Sequence, residues 1–185
     1  MLLSHTELLD LVDQRVIQNT THDNVNGASI DVRLGATLLI ERLYPSDQRP
    51  IVNLAARESP VLIPKPLDLY NGWVLEPGDF VLAATVETFH LPNDLCCEFK
   101  LKSSVARSGI EHSLAGWGDP GWSDATLTLE LRNTLQHQAL RLEPGMKIGQ
   151  VIFWRLNTPV PDNASYSKRG QYNGQKLPQP SKGIR

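Results

Sequence analysis

Two cysteines are all that the 185 residues contain, and Cys96 and Cys97 are adjacent. Chain neighbours cannot form an ordinary disulfide, so no disulfide scaffold is available and a reducing cytoplasm is the expected setting. No apolar run of about 18 residues and no charged-then-apolar leader is present, so neither a membrane span nor secretion is expected. Charge of one sign is lacking too: 18 Lys and Arg oppose 20 Asp and Glu, a net charge of −2. That balance excludes a general nucleic-acid binder and leaves room for a local basic pocket. The chain also has no GxxxxGKS/T, no GxGxxG after a strand, no GxSxG and no HExxH. Walker-type, dinucleotide-binding, nucleophile-elbow and zincin chemistries are therefore set aside. His5-Thr6-Glu7 has an HxE spacing, but no CxxC accompanies it. The imidazole-plus-thiolate set that holds a water-activating zinc is missing, so no zinc is expected.

What is present suits a globular chain. Hydrophobic residues make up 41%, and the length fits a single domain spanning residues 1–185 with a real core. One helix is expected over residues 4–17, where Ser4 and Glu7 form a capping-box pattern ahead of Leu8, Leu9, Leu11, Val12 and Val16. "GASIDVRLG" (27–35) alternates Ile30, Val32 and Leu34 with Asp31 and Arg33, a strand bounded by glycines. Residues 44–72 hold five prolines and no period, which reads as a long surface excursion. Short β-like runs follow at 72–92, 95–101, 125–132 and 147–156, punctuated by Pro-Gly pairs at 77–78, 120–121 and 144–145. The pattern predicts an all-β sandwich or barrel rather than a βαβ fold. The last twenty residues, 166–185, lack a core pattern and read as a mobile tail.

Four stretches carry chemistry. In "GWGDPGWSDATLTLELRN" (116–133), Ala125, Leu127, Leu129 and Leu131 alternate with Thr126, Thr128, Glu130 and Arg132. A half-buried strand thus presents one carboxylate on a threonine-lined wet face. In "KLKSSVARSG" (100–109), Lys102 and Arg107 bracket Ser103 and Ser104. Cations, hydroxyls and turn amides are what a triphosphate needs without a Walker loop, though a solvated basic loop has the same composition. Asp119 precedes Pro-Gly, an ordinary turn, between Trp117 and Trp122. The tail sets Tyr166, Tyr172 and Gln175 among Gly170 and Gly174, suiting either a closing flap or plain terminal disorder.

Together these segments resemble the deoxycytidine triphosphate deaminase family of the dUTPase superfamily, almost end to end. "MLLSHTELL" is similar to the family's start, "GASIDVRLG" to its first signature strand and "EPGDFVLAATVETFHLPNDL" to its central hairpin. "KSSVARSGI" resembles its phosphate segment, "DPGWSDATLTLEL" its catalytic strand and "EPGMKIGQVIF" its closing strand. The resemblance implies a distorted β-barrel or jelly roll with an N-terminal helix, assembled as homotrimers with active sites between subunits. It implies dCTP and dUTP as ligands, with dTTP as a further candidate, and Mg²⁺ carried on the triphosphate. It casts Glu130 as the general acid and base for attack of water at C4 of cytosine, Ser103 and the Ala115 carbonyl as water-orienting groups, and Arg107 beside them. The nucleotide-binding set it implies is Lys102, Ser103, Ser104, Val105, Ala106 and Arg107 on the phosphates, Asp119 on the sugar, and Thr128, Leu129 and Glu130 at the base. Gln150, Tyr166, Gln171, Tyr172 and Gln175 complete it from the closing strand and tail.

This sequence departs from the family pattern at four places. Lys102 stands for the usual Arg, keeping charge but losing the fork. Leu114 replaces Thr, Gln171 replaces a phosphate-contacting Lys with Lys168 and Arg169 nearby, and Asp124 replaces a glycine. The primary expectation is deamination of dCTP to dUTP and ammonia. The alternative, favoured by Gly116-Trp117 and by the tail "QYNGQKLPQPS", continues to dUMP and pyrophosphate, as in the bifunctional branch. Competing classes are a non-catalytic nucleotide-sensing module and a structural trimeric β-domain.

Overall fold

The computed structural model describes residues 1–183. Ser4 donates through both its backbone N–H and its hydroxyl to Glu7 Oε2 (2.8 and 2.7 Å). This fixes the start of helix α1 (His5–Asp13), whose inner face buries Leu8 and Leu11. The helix stops four residues short of the expected end at residue 17. Arg15 enters the left-handed region (φ 58°), and the β-branched pair that follows turns into strand β1 (Ile17–Gln18), with Ile17 opposite Phe89.

The remaining elements are β2 (Ile30–Arg33), β3 (Thr37–Glu41), β4 (Leu62–Pro66), β5 (Trp73–Leu75), β6 (Phe80–His90) and β7 (Leu95–Leu101). After them come α2 (Ser103–Arg107), β8 (Ile110–His112), β9 (Trp117–Gly118), β10 (Ser123–Asn133), β11 (Leu140–Leu142), β12 (Lys147–Arg155) and α3 (Tyr166–Arg169). One sheet runs β4-β3-β6-β10-β8 with β1 also on β6, a second runs β2-β12-β7-β9, and β11 pairs with β5. All these pairings are antiparallel. The all-β expectation therefore holds. Inward faces merge into one apolar cluster, with Phe89 stacked on Trp122 at 5.2 Å and Phe153, Leu129 and Leu131 fully buried.

Two readings need correction. The strand read over 27–35 is only Ile30–Arg33, and Asp31, expected on its wet side, is buried (4% exposed). The excursion 44–72 contains an edge strand, β4, paired with β3 from Thr37↔Pro66 to Glu41↔Leu62. Pro64 and Pro66 hid it, yet an edge strand accommodates prolines because its outer donors need no partner. No helix among the described residues is long and apolar enough to cross a membrane.

Candidate active site

Strand β10 supplies the floor. Its odd positions, Ala125, Leu127, Leu129 and Leu131, are buried as the alternation requires. Register shifts against β6 between Ser123 and Ala125, and between Thr126 and Thr128, disturb the pairing. Asp124 stands in the first of them at φ 55°, a left-handed conformation that Asp tolerates better than most residues.

Glu130 does not stand alone on this face. Strand β8 places His112 opposite Leu131. His112 Nε2 lies 3.1 Å from Glu130 Oε2, with the imidazole buried and the carboxylate side chain 23% exposed. The contact meets the distance but not the alignment of a hydrogen bond, and neither atom has another partner among the described residues. The imidazole is held from behind by Phe99, ring centroids 4.7 Å apart. Sequence reading missed His112. The signal available was the short Ile110-Glu111-His112 run, whose period of two turns Ile110 and His112 inward together.

Above Glu130 lies a cavity of about 640 Å³. It gathers Ala115, Asp119, Thr128, Glu130, Tyr166, Tyr172 and Gln175 from the expected site, together with Trp117, Trp122, Phe80 and Leu82. Gly116 lets the chain press on β7 beside Ala115, since a Cβ there would meet Phe99 Cβ at 2.7 Å. Leu114 turns away from this wall, 89% exposed.

The tail forms the roof, the flap arrangement of the two that its composition left open. Thr126 donates its N–H to the Gln175 carbonyl (2.8 Å), and the Gln175 amide donates to Thr128 Oγ1. Ser123 N–H donates to Asn173 Oδ1 (2.8 Å), Trp122 Nε1 to the Tyr172 carbonyl (3.3 Å), and Lys176 pairs with Asp124 at 2.5 Å. These bonds use groups freed at the register shifts of β10. An apolar-periodicity reading cannot see such docking, because the anchors are polar. Thr126, expected on a wet face, is buried for the same reason. Burial raises the pKa of the Tyr166 phenol, and the Asp119 carboxylate adds to the shift. The tail residues 184 and 185 lie outside the described residues.

Other expected site residues lie off this cavity. Lys102 to Arg107 are not on its wall. Ser103, Ser104, Ala106 and Arg107 are exposed on α2, and Val105 is half-buried against the core. Lys102 gives its ammonium to Asp31 (2.7 Å), which also accepts from Asn26 (2.9 Å) and Lys147 (3.1 Å). Burial works to raise the Asp31 pKa, but these donors outweigh it and hold the carboxyl below its usual range. Gln150, on β12, accepts from Ser29 Oγ at 3.0 Å. The Gln171 carbonyl accepts from Lys182 Nζ at 2.6 Å. Leu129 is fully buried in the core, so its side chain cannot line a base, and only its backbone remains for that role. Among the described residues, no group of three or more His, Cys, Asp and Glu is arranged to hold a metal.

Comparison with known proteins agrees with the fold. The family model described as "dCTP deaminase-like" matches residues 2–156. A protein of Nocardioides sp. named "dCTP deaminase, dUMP-forming" is 36% identical over 186 residues, covering 98% of this chain and 95% of the relative. A protein of the same name from Nanoarchaeum equitans is 34% identical over 184 residues, covering 92% and 90%. Among solved structures, 2'-deoxycytidine 5'-triphosphate deaminase from Agrobacterium tumefaciens superposes with a TM-score of 0.63 at 21% identity. That match takes in 82% of this chain and 47% of the solved one, about half its length.

Proposed function

This chain belongs to the dCTP deaminase-like family, and from that premise we propose that it deaminates dCTP and carries the product on to dUMP and pyrophosphate. The observation that carries the reading is one cavity holding two differently supported carboxylates, Glu130 beside His112 and Asp119 beside Trp117. The relatives' shared name and the Gly116-Trp117 pair favour the two-step outcome over a reaction that stops at dUTP.

In the first step Glu130 takes a proton from water as the water oxygen bonds to C4 of cytosine. It delivers that proton to N3, then takes the proton of the new C4 hydroxyl and passes it to the amino nitrogen, so that the C4–N4 bond breaks, the carbonyl forms and ammonia leaves. His112, buried behind it, limits the orientations open to the carboxylate. The Ala115 carbonyl orients the water, while Thr128 and Gln175 border the base. The water is activated by a carboxylate, so the reading uses no zinc. Magnesium belongs to the substrate, entering on the triphosphate and screening its charge. In the second step Asp119 orients a water toward the α-phosphorus.

The phosphate-binding set must come from elsewhere than this cavity's own wall. Ser103, Ser104 and Arg107 are exposed on α2, and their side chains have no hydrogen-bond partner among the described residues. The reading therefore brings α2 of a second copy of the chain to the cavity mouth, as the trimeric arrangement implied by the family resemblance would do. Tail docking over the nucleotide then excludes water.

The test is incubation with dCTP and Mg²⁺, followed by ammonia release and phosphorus NMR. Ammonia, dUMP and pyrophosphate are expected. Accumulated dUTP without pyrophosphate overturns the second step, and nucleotide binding without ammonia overturns the enzymatic reading.

A further inference from the structure

We infer that Lys147 is a polyphosphate-binding residue, its ammonium working beside that of Lys102 across the shared carboxylate of Asp31. The inference rests on the reading above, in which α2 is brought to the phosphates of a nucleotide. One carboxylate oxygen of Asp31 accepts from Lys102 Nζ at 2.7 Å and the other from Lys147 Nζ at 3.1 Å. Asn26 Nδ2 adds a neutral donor to the first oxygen at 2.9 Å. One cation is enough to neutralise a buried carboxylate. This cluster has two, so it carries a net positive charge, and the Lys147 side chain keeps 46% of its surface exposed. Two ammoniums held on one carboxylate repel each other. An anion lying across both relieves that repulsion, and linked phosphates offer enough oxygens to bridge them.

The backbone is shaped to bring Lys147 there. Along β12, Val151 and Phe153 are buried, and strict alternation would turn Gly149 and Lys147 inward with them. Instead the pairing with β2 shifts between Lys147 and Gly149. Ile148 is buried and Lys147 is exposed, so the irregularity reverses the alternation and re-aims the lysine. Any Cβ at Gly149 would meet the Phe99 ring at 2.1 Å, so this part of β12 is pressed against β7. Gln150, next along, is opposite Asp31 in the register. Lys102 N–H donates to the Ile148 carbonyl at 3.3 Å, which ties the start of α2 to the same place. Lys147 thus joins Lys102 and Gln150, two residues of the expected nucleotide set, at the base of α2. Ser103 and Ser104 follow directly in the chain.

The experiment compares the parent, Lys147→Met, Lys147→Arg and Lys65→Met as full chains. Lys65→Met makes the same charge change on exposed strand β4. Binding of inorganic triphosphate, dCTP and deoxycytidine is measured by calorimetry with Mg²⁺ present, and ammonia release gives KM and kcat for dCTP. Methionine keeps the apolar stem and removes the charge, and thermal melting establishes that each variant is folded. Lys147→Met should bind inorganic triphosphate and dCTP about tenfold more weakly, the scale of one lost hydrogen bond from a charged group. Its KM for dCTP should rise to match, with kcat and deoxycytidine binding unchanged. Lys147→Arg should restore binding, and Lys65→Met should match the parent. Parental triphosphate affinity in folded Lys147→Met overturns the inference, as does an equal loss for deoxycytidine, which marks a structural role. In the parent itself, saturating inorganic triphosphate should slow acylation of the Lys147 amine, read by peptide mass spectrometry. Absence of that protection overturns the inference whether or not the variants fold. A parent that binds triphosphate through Lys147 but releases no ammonia from dCTP overturns the enzymatic reading alone, since the binding result does not depend on turnover.

Discussion

Replacing Glu130 by Gln changes one atom of the cavity wall and removes its base. The structure sets the size of both consequences. The side chain is 23% exposed and touches His112 at 3.1 Å without a well-aligned hydrogen bond, so little native stabilisation is tied to its charge. An amide of the same shape can meet the imidazole equally well. The stability change should stay within about 1 kcal/mol, or about 2–4 °C in melting temperature for a chain of this size. Turnover is another matter, because an amide cannot take the proton of the attacking water. Loss of a positioned acid–base group costs at least about a hundredfold, close to 2.7 kcal/mol of barrier at 1.36 kcal/mol per decade. Ammonia release, thermal melting and equilibrium binding of dCTP should be measured together. The expected pattern is near-parental melting and binding with turnover down by at least about a hundredfold. A folded Glu130→Gln protein turning over within about threefold of the parent would refute the assignment. Replacing His112 by Phe, which keeps a ring against Phe99, should give a smaller loss of about tenfold, readable in the same assay.

Removing the tail from residue 171 onward should leave a folded protein. Among its described residues only Gln175 and Pro178 are buried, so the melting temperature should fall by no more than a few degrees while turnover drops by about a hundredfold. Unchanged kinetics would show that docking over the cavity has no catalytic role. Zinc chelators should leave activity unaffected and removal of Mg²⁺ should depress it, whereas a stoichiometric zinc whose loss abolishes turnover would refute the carboxylate mechanism. Asp31→Asn should cost about 2 kcal/mol at neutral pH, because a buried carboxylate loses bonds from charged donors. The Asp31 pKa is depressed in the fold, so its contribution is present above the unfolded value of about 4 and is lost as pH falls through the folded value. Urea midpoints of parent and variant should therefore converge under acid conditions, and a gap that persists at low pH would sink that account.

Period-two alternation made β10 legible, and turn residues with strand-forming runs gave β7 and β12 to within a residue of their ends, whereas the run read over 72–92 divides at the Pro77-Gly78 turn into β5 and β6. The helix overran because Val16 continued an apolar face that the backbone abandons at Arg15, a positive-φ residue that no periodicity marks. Strand β4 was hidden by its own prolines. Those failures are local. The failure at Asp31 has a different cause. Asp31 looks like the outward partner of an alternating strand until Lys102 and Lys147, 71 and 116 residues away, arrive to neutralise it. A carboxylate can be buried only when paired, and pairing at that distance leaves no trace in a local pattern.

The candidate site divides along the same line. Glu130 stood out because it is the one carboxylate on a threonine-lined strand face, so local pattern and family resemblance met on it. His112 did not stand out, since a buried histidine on a three-residue strand resembles any inward residue. Its relation to Glu130 arises only when β8 pairs with the far end of β10. Trp117 and Asp119 are two residues apart and were both visible, but the donor-to-acceptor relation between them depends on a side-chain direction that spacing does not give. The residues that do chemistry could thus be read from type and neighbours. The residues that orient them became identifiable only once strands distant in sequence were side by side. Of the two orienting rings, His112 is buried by the core and Trp117 is exposed at the cavity wall. The first ring is fixed by the packing of the core around it, whereas the second is fixed by its contact with Trp154 and its one bond to Asp119.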